Sequence, residues 1–181
     1  MSATEAPSAG ATVWLTGLPS AGKTTLAHAV TGRLPGPAEV LDGDELRAVL
    51  SPELGHSRAD RALNVSRIGY LARLLARNGI TAVVAVVSPF ADARLKVRAE
   101  HAAEGVPFVE VHVATPLRIC RERDVKGLYE RWRTGDVREL TGVDSPYEPP
   151  EDPELWLDTT GRSLSSCAGE VCAALADRVR R

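Results

Sequence analysis

The stretch GLPSAGKTT, Gly17 to Thr25, lies between an apolar run, TVWLT, and a helix-like run, LAHAV, and it limits the possible folds more than any other feature. Gly17, Gly22, Lys23 and Thr24 satisfy the spacing GxxxxGK[ST], with a strand expected before the loop and a helix after it. Glycine at these positions lets backbone N–H groups curl around an anionic oxygen, and a helix starting there adds the positive end of its dipole. Lys23 is placed to bridge β- and γ-phosphates and the Thr24 hydroxyl to ligate Mg²⁺. Gly17, Leu18, Pro19, Ser20, Ala21, Gly22, Lys23, Thr24 and Thr25 are therefore the expected cradle for a nucleoside triphosphate. Among 22 basic residues only Lys23, Lys96 and Lys126 are lysines. Where arginine is the default cation, a lysine in such a loop marks a need for a compact point charge rather than a planar fork.

The rest of the chain supplies the fold that this loop requires. Strands are expected over Thr12–Thr16, Ala38–Leu41, Thr81–Val87 and Phe108–Ala114, with a weaker one at Leu155–Leu157. Helical spacing appears over Lys23–Arg33, Arg58–Asn78, Ala91–Glu104 and from Ser163 onward, and Asn78-Gly79 is a helix stop. Alternation of this kind predicts a three-layer α/β P-loop fold around a mostly parallel five-stranded sheet. TAVVAVV has no polar alternation and is expected to be covered on both faces. Residues 1–11 are expected to form a disordered tail and 12–181 a single domain. A charged, glycine-containing insertion that closes with SPYEPPEDP is expected to be a mobile lid over about residues 124–150.

Composition removes several classes of function. A net charge of -2 gives no basic excess for nucleic acid or an anionic membrane, so an anionic ligand needs locally placed cations. No apolar run approaches the roughly 20 residues of a membrane span. The N-terminal stretch lacks the pattern of a signal peptide, and Cys120, Cys167 and Cys172 form no CxxC pair, which fits small core residues in a cytoplasmic protein. His28, His101 and His112 have no partners at metal-ligand spacing. Trp14 and Trp156 are expected in core or dimer contacts and Trp132 in the lid.

The triphosphate loop alone does not select among GTPases, ATPases and kinases. No NKxD-type guanine-reading segment is present, and the central strand brings Ser88 where an acidic residue often stands. LDGDELR supplies acids instead, with Asp42 and Asp44 hinged by Gly43 at the end of the second strand. In open parallel sheets ligands bind at that carboxyl edge. One carboxylate there can order Mg²⁺ through water and the other can accept a proton from an attacking hydroxyl. Asp44 could also serve as the cap of a helix over Glu45–Leu50.

VWLTGLPSAGKTT, LDGDELR, LGHSRADRALNVSRIGYLARLL, VVSPF, RDVKGLY and LTGVDSPYEPPEDPE together resemble, in order and spacing, the adenylylsulfate kinases (APS kinases), from Thr12 to Thr159. The resemblance implies a nucleoside-monophosphate-kinase-like fold. It also implies transfer of the γ-phosphoryl group of Mg·ATP to the ribose 3′-hydroxyl of adenylyl sulfate (APS), giving PAPS and ADP. ATP and Mg²⁺ are then the co-substrate and cofactor, the partners are small molecules, and the assembly of relatives is often a homodimer.

Matched residue by residue, Asp44 falls on a carboxylate near the acceptor hydroxyl, with Asp42 beside it. Arg47, Arg61 and Asn64 fall on groups that hold the acceptor. Val87 and Ser88 fall on the acceptor side, where Ser88 matches a serine considered as a phosphoryl carrier; direct in-line transfer makes a positioning role the better reading. Lys126 falls on a lysine that touches substrate, and Arg123 is placed to cover ATP.

Two positions depart from the pattern. His56 and Leu140 stand where relatives carry phenylalanines that clamp the adenine of APS. Base stacking on an aromatic ring contributes roughly 1–3 kcal/mol, so the clamp is expected to be weaker or reshaped. Leu63 and Ser66 replace a glutamate and an arginine of the usual pattern, which is expected to change the electrostatics near the acceptor. A kinase with another hydroxyl acceptor and a non-catalytic nucleotide sensor are the two alternative readings.

Overall fold

A computed structural model describes residues 10–180. Along them run β1 (Thr12–Thr16), α1 (Lys23–Thr31), β2 (Ala38–Asp42), α2 (Gly43–Leu50), α3 (Arg58–Arg77), β3 (Thr81–Ala85) and α4 (Ala91–Ala103). β4 (Phe108–Val113), α5 (Leu117–Arg123), α6 (Leu128–Arg133), β5 (Leu155–Leu157) and α7 (Leu164–Val179) complete the set. The sheet order is β2-β3-β1-β4-β5, and every pairing is parallel. The five expected strands are all present.

Alternation along β1 builds the two halves of the core. Val13 and Leu15 point into the layer that holds Leu26 and Val30 of α1 and Val171 and Leu175 of α7. Trp14 points the other way, into a layer with Val65 and Ile68 of α3 and Val97 of α4. Successive strand residues face opposite sides, so a five-residue strand buried throughout must be covered twice. The three layers follow directly from that burial.

β3 stops at Ala85, two residues short of the end of its apolar run. Val86 still donates its N–H to Leu15, but the Val87 carbonyl accepts from the Thr16 hydroxyl at 2.7 Å, and Ser88 turns the chain with φ of 38°. The apolar run thus continues past the ladder to line a cleft. β3 is interior to the sheet but not its middle strand, which is β1.

The expected N-terminal tail extends two residues too far. Gly10 and Ala11 are buried, and Gly10 donates its N–H to Ala76. A Cβ on Gly10 would meet backbone atoms of Ile80 and Ala76 at 2.6–2.8 Å, so the chain is already locked into the fold there. Positions 1–9 lie outside the described residues. Cys120 and Cys167 are buried and Cys172 is half-buried, all as free thiols. Trp14 is fully buried, whereas Trp156 on the edge strand is 52% exposed. No helix among the described residues is long and apolar enough to cross a membrane.

His112 on β4 is buried between Tyr147, stacked at 5.6 Å, and Trp156, edge-on at 4.6 Å. Its Nδ1 has no hydrogen-bond partner. Burial, helped by the charge of Arg94, pushes the imidazole down from 6.5 to about 4. The unfolded chain therefore binds this proton more readily than the folded one. The stabilisation from a neutral His112 is complete above pH 6.5 and is lost as pH falls toward about 4. Urea unfolding of His112→Phe across this range should show a shallower loss of stability below pH 6.5 than the parent. Parallel curves would contradict the assignment.

Candidate active site

A cleft of about 450 Å³ opens at the carboxyl edge of the sheet, between the P-loop, α2, the start of α3, the segment after β3 and residues 125–141 of the segment expected to be a lid. The loop has the conformation its glycines predict. Gly17 adopts φ of 153° with its Cα packed so close to Val113 that a Cβ would lie 2.5 Å from that carbonyl oxygen. Gly22 precedes α1 with φ of 100° and offers no side-chain cap. The first N–H groups of α1 are thus left for an anion, as expected of a phosphate cradle.

Lys23 is buried and donates to the carbonyls of Gly17 at 3.0 Å and Leu18 at 2.7 Å. Burial pushes its ammonium down to about 8, with Asp44 the main opposing influence, so it stays largely charged at neutral pH. Pro19, Ser20, Gly22, Lys23, Thr24 and Thr25 line the cleft. Gly17 and Ala21 do not line it, and Leu18 faces a shallow surface groove beside Gly142 and Tyr147. The Ser20 hydroxyl is buried without a partner.

The two aspartates divide their tasks differently from the helix-cap expectation. Asp42, not Asp44, caps α2: its carboxylate accepts from the N–H of Asp44 at 2.9 Å and of Glu45 at 3.4 Å. β2 ends in extended backbone at Asp42, which directs this carboxylate back over the first turn. Its other oxygen accepts from the Thr24 hydroxyl at 2.7 Å. Burial works against the charged form, but the bonds from Thr24, Asp44 and Glu45 outweigh it and hold Asp42 below the usual carboxylate range.

Asp44 is thereby left exposed in the first turn of α2, and it forms an ion pair with Lys126 of the lid. That hydrogen bond raises the Lys126 ammonium above its ordinary value despite partial burial. Thr24 and Asp42 present hard oxygen donors side by side, a set that suits Mg²⁺ shared with nucleotide phosphates. No cluster of three or more His, Cys, Asp or Glu side chains among the described residues could hold a metal by itself.

Arg47, His56, Arg61, Asn64, Val87, Ser88, Lys126 and Leu140 all line the same cleft. The Asn64 side chain is buried, with its oxygen unpartnered. Arg47 donates to the carbonyls of Leu54 and Gly55. Arg61 spends three donors, each at 2.7 Å, on the His56 carbonyl, the Thr141 hydroxyl and the Glu139 carbonyl, joining α3 to residues 139 and 141. Burial first, then the charges of Arg47 and Arg61, lowers His56, so its imidazole is neutral at pH 7. The Ser88 hydroxyl is buried and accepts from the Trp14 indole at 3.1 Å.

Arg123 stands apart, at the end of α5. It is exposed beside the P-loop, donating to the carbonyl of Ala21 at 3.2 Å and to the Thr159 hydroxyl at 2.9 Å, outside the cleft. Leu63 is 45% exposed, and neither it nor Ser66 lines the cleft.

Arg131, Val137 and Arg138 of the lid also line it, residues that the sequence reading did not single out. The alternating arginines of YERWRTGDVRE were the available signal. The lid is docked over the loop by Tyr129, whose hydroxyl donates to Pro19 at 3.0 Å, as well as by Lys126 and Arg61.

The family model for adenylylsulphate kinase matches residues 9–158. The chain is 48% identical over 169 residues to an adenylyl-sulfate kinase of Synechococcus sp. (strain JA-3-3Ab), covering 92% of this chain and 94% of that one. It is 49% identical over 173 residues to the adenylyl-sulfate kinase of Myxococcus xanthus (strain DK1622), covering 94% of each. Its structure resembles the APS kinase of Mycobacterium tuberculosis in complex with AMPPNP and APS, with a TM-score of 0.90 and 44% identity over 94% of this chain and 99% of that one. A phosphate loop, two divided aspartates and a docked lid around one cleft are thus accompanied by sequence likeness over nearly the whole length: the chain belongs to the adenylylsulfate kinase family.

Proposed function

We propose that this chain phosphorylates the ribose 3′-hydroxyl of adenylyl sulfate with ATP, giving PAPS and ADP, in the cytoplasm. The observation that carries the reading is the joining of the P-loop, Asp44, Asn64 and Lys126 within a single cleft of about 450 Å³. Triphosphate and acceptor can meet there without crossing a wall of the protein.

The donor phosphates lie against the P-loop amides, and Lys23 exchanges the carbonyls of Gly17 and Leu18 for phosphate oxygens. Thr24 and Asp42 are the residues that would hold Mg²⁺. When bound, the ion neutralises charge on the phosphates. Asp44 accepts the proton of the attacking 3′-hydroxyl, and Lys126, its partner in the ion pair, keeps a positive charge beside the transferring group. Arg47 and Arg61 offer remaining donors to the phosphosulfate, Asn64 offers its free oxygen to the nucleoside, and Arg123 covers the ATP side.

Ser88 acts by position. Its hydroxyl receives the Trp14 indole proton, and a direct in-line transfer needs no serine carrier. The lid opens to admit substrates and closes to exclude water. His56 and Leu140 shape the wall that reads the base, and they favour one second reading, a kinase of this family with a changed acceptor.

An assay of the pure protein with APS beside AMP, other nucleotides and small hydroxyl compounds, with ADP release as the readout, tests the acceptor. Rapid turnover of APS is expected; ADP release with another compound and none with APS would sink the reading. Asp44→Asn should lower kcat by about 100-fold or more while leaving ATP-analogue binding largely intact. Lys23→Ala should abolish transfer. A fully active Asp44→Asn enzyme would remove the proposed base.

Asp42 separates its two roles in a second experiment. Asp42→Ala should cost about 1 kcal/mol in urea unfolding through loss of the α2 cap, and Asp42→Asn much less. Both should weaken Mg²⁺-dependent binding of an ATP analogue, by about tenfold. Equal stability losses in both variants, or unchanged Mg²⁺ dependence, would contradict the division.

A further inference from the structure

Arg94 of α4 is 2% exposed, and its guanidinium joins parts of the molecule that are remote in sequence. Nε donates to Glu110 of β4 at 2.8 Å, one Nη to the Ser88 carbonyl at 2.7 Å and the other to the Glu148 carbonyl at 2.7 Å. Ser88 lines the cleft, and Glu148 falls near the end of the segment read as the lid.

Both ends of this bridge are otherwise under constraint. Ser88 holds φ of 38°, a left-handed conformation unfavourable for a residue with a Cβ, so it persists only where its surroundings fix it. Its hydroxyl is held by Trp14 and its carbonyl by Arg94. Glu148 donates its N–H to the Pro89 carbonyl at 2.8 Å. Its carboxylate accepts from the N–H of Ala91 at 2.7 Å, at the start of a helix with no side-chain cap of its own, and from Arg58 at 3.1 Å. Arg58 in turn lies over the Phe90 ring at 4.1 Å. Behind Arg94, Glu110 is shared with Arg98, which binds Glu154 at 2.8 Å ahead of the edge strand.

We propose that Arg94 is a positioning residue for the acceptor: through Ser88 and Glu148 it fixes the cleft floor and the returning end of the lid in one frame. A planar fork suits this task, because three donors in fixed directions set three groups at once. The donor phosphates are held by the P-loop, to which Arg94 makes no hydrogen bond. Removing the fork therefore displaces the acceptor relative to a donor that stays in place, and small displacements of a reacting group carry large rate penalties. This inference rests on the reading of the cleft as a kinase site with APS as the acceptor.

The test is Arg94→Lys, supported by the double variant Arg94→Gln/Glu110→Gln, which removes both charges together should the lysine protein fail to fold. The folded variant is expected to bind an ATP analogue as the parent does while kcat/KM for APS falls about 10- to 100-fold. Hydrogen exchange, which needs no acceptor, should show faster amides at Ala91 and Glu148 and unchanged ones at Lys23 to Thr25. Unchanged kcat/KM, slow Ala91 and Glu148 amides, or equal losses in ATP-analogue and APS parameters would overturn the proposal. Failure of the parent protein to use APS would instead defeat the functional reading, and the exchange experiment would still decide whether Arg94 holds this frame.

Discussion

An all-parallel sheet brings the carboxyl ends of its strands to one edge, and the register of β1 against its neighbours places the working groups there. Leu15 pairs with Ala85 on one side and with Val111 on the other, so the P-loop, the segment after β3 and the end of β4 leave the sheet at one level. Gly17 can then pack against the Val113 carbonyl, and Thr16 can bind the Val87 carbonyl. β2, paired with β3 up to Asp42 and Ala85, delivers Asp42 to the same edge. A shift of one residue in β1 would exchange Trp14 for Val13 or Leu15 in the core and carry the loop away from Asp42.

Charge is arranged locally on a chain whose net charge is only -2. Lys23, Arg47, Arg61, Lys126, Arg131 and Arg138 line one cleft, against Asp42, Asp44 and Glu139. Several of these cations are engaged by protein oxygens: Lys23 by the Leu18 carbonyl, Arg61 by the Glu139 carbonyl and Lys126 by Asp44. Such partners spare buried or half-buried charge from isolation, and anionic oxygens of a ligand can take over their donors. The contacts of Lys126 and Arg61 also tie residues 126, 139 and 141 to α2 and α3.

Much of this was legible in the sequence because the signals were local and repeated. The strands announced themselves as short apolar runs between turn residues, and the phosphate loop by its spacing. The end of β3 was not, since TAVVAVV gives no sign that Val87 will bind a threonine rather than a strand neighbour. The cap of α2 fell to Asp42 instead of Asp44 because β2 extends one residue further than its apolar pattern. α5, at 7 residues, is too short to show a helical period. Arg94 was silent for another reason: its partners Glu110 and Glu148 are 16 and 54 residues away, and only the fold brings them together.

In the proposed function phosphate passes directly from ATP to the acceptor within one cleft, with Asp44 rather than Ser88 at the reacting hydroxyl. A single-turnover experiment with γ-labelled ATP, APS and excess protein tests it most directly. Label is expected on the 3′-position of the acceptor as fast as ADP forms, with the protein unlabelled at every time point. A phosphorylated Ser88 that forms before product and decays into it would contradict the account.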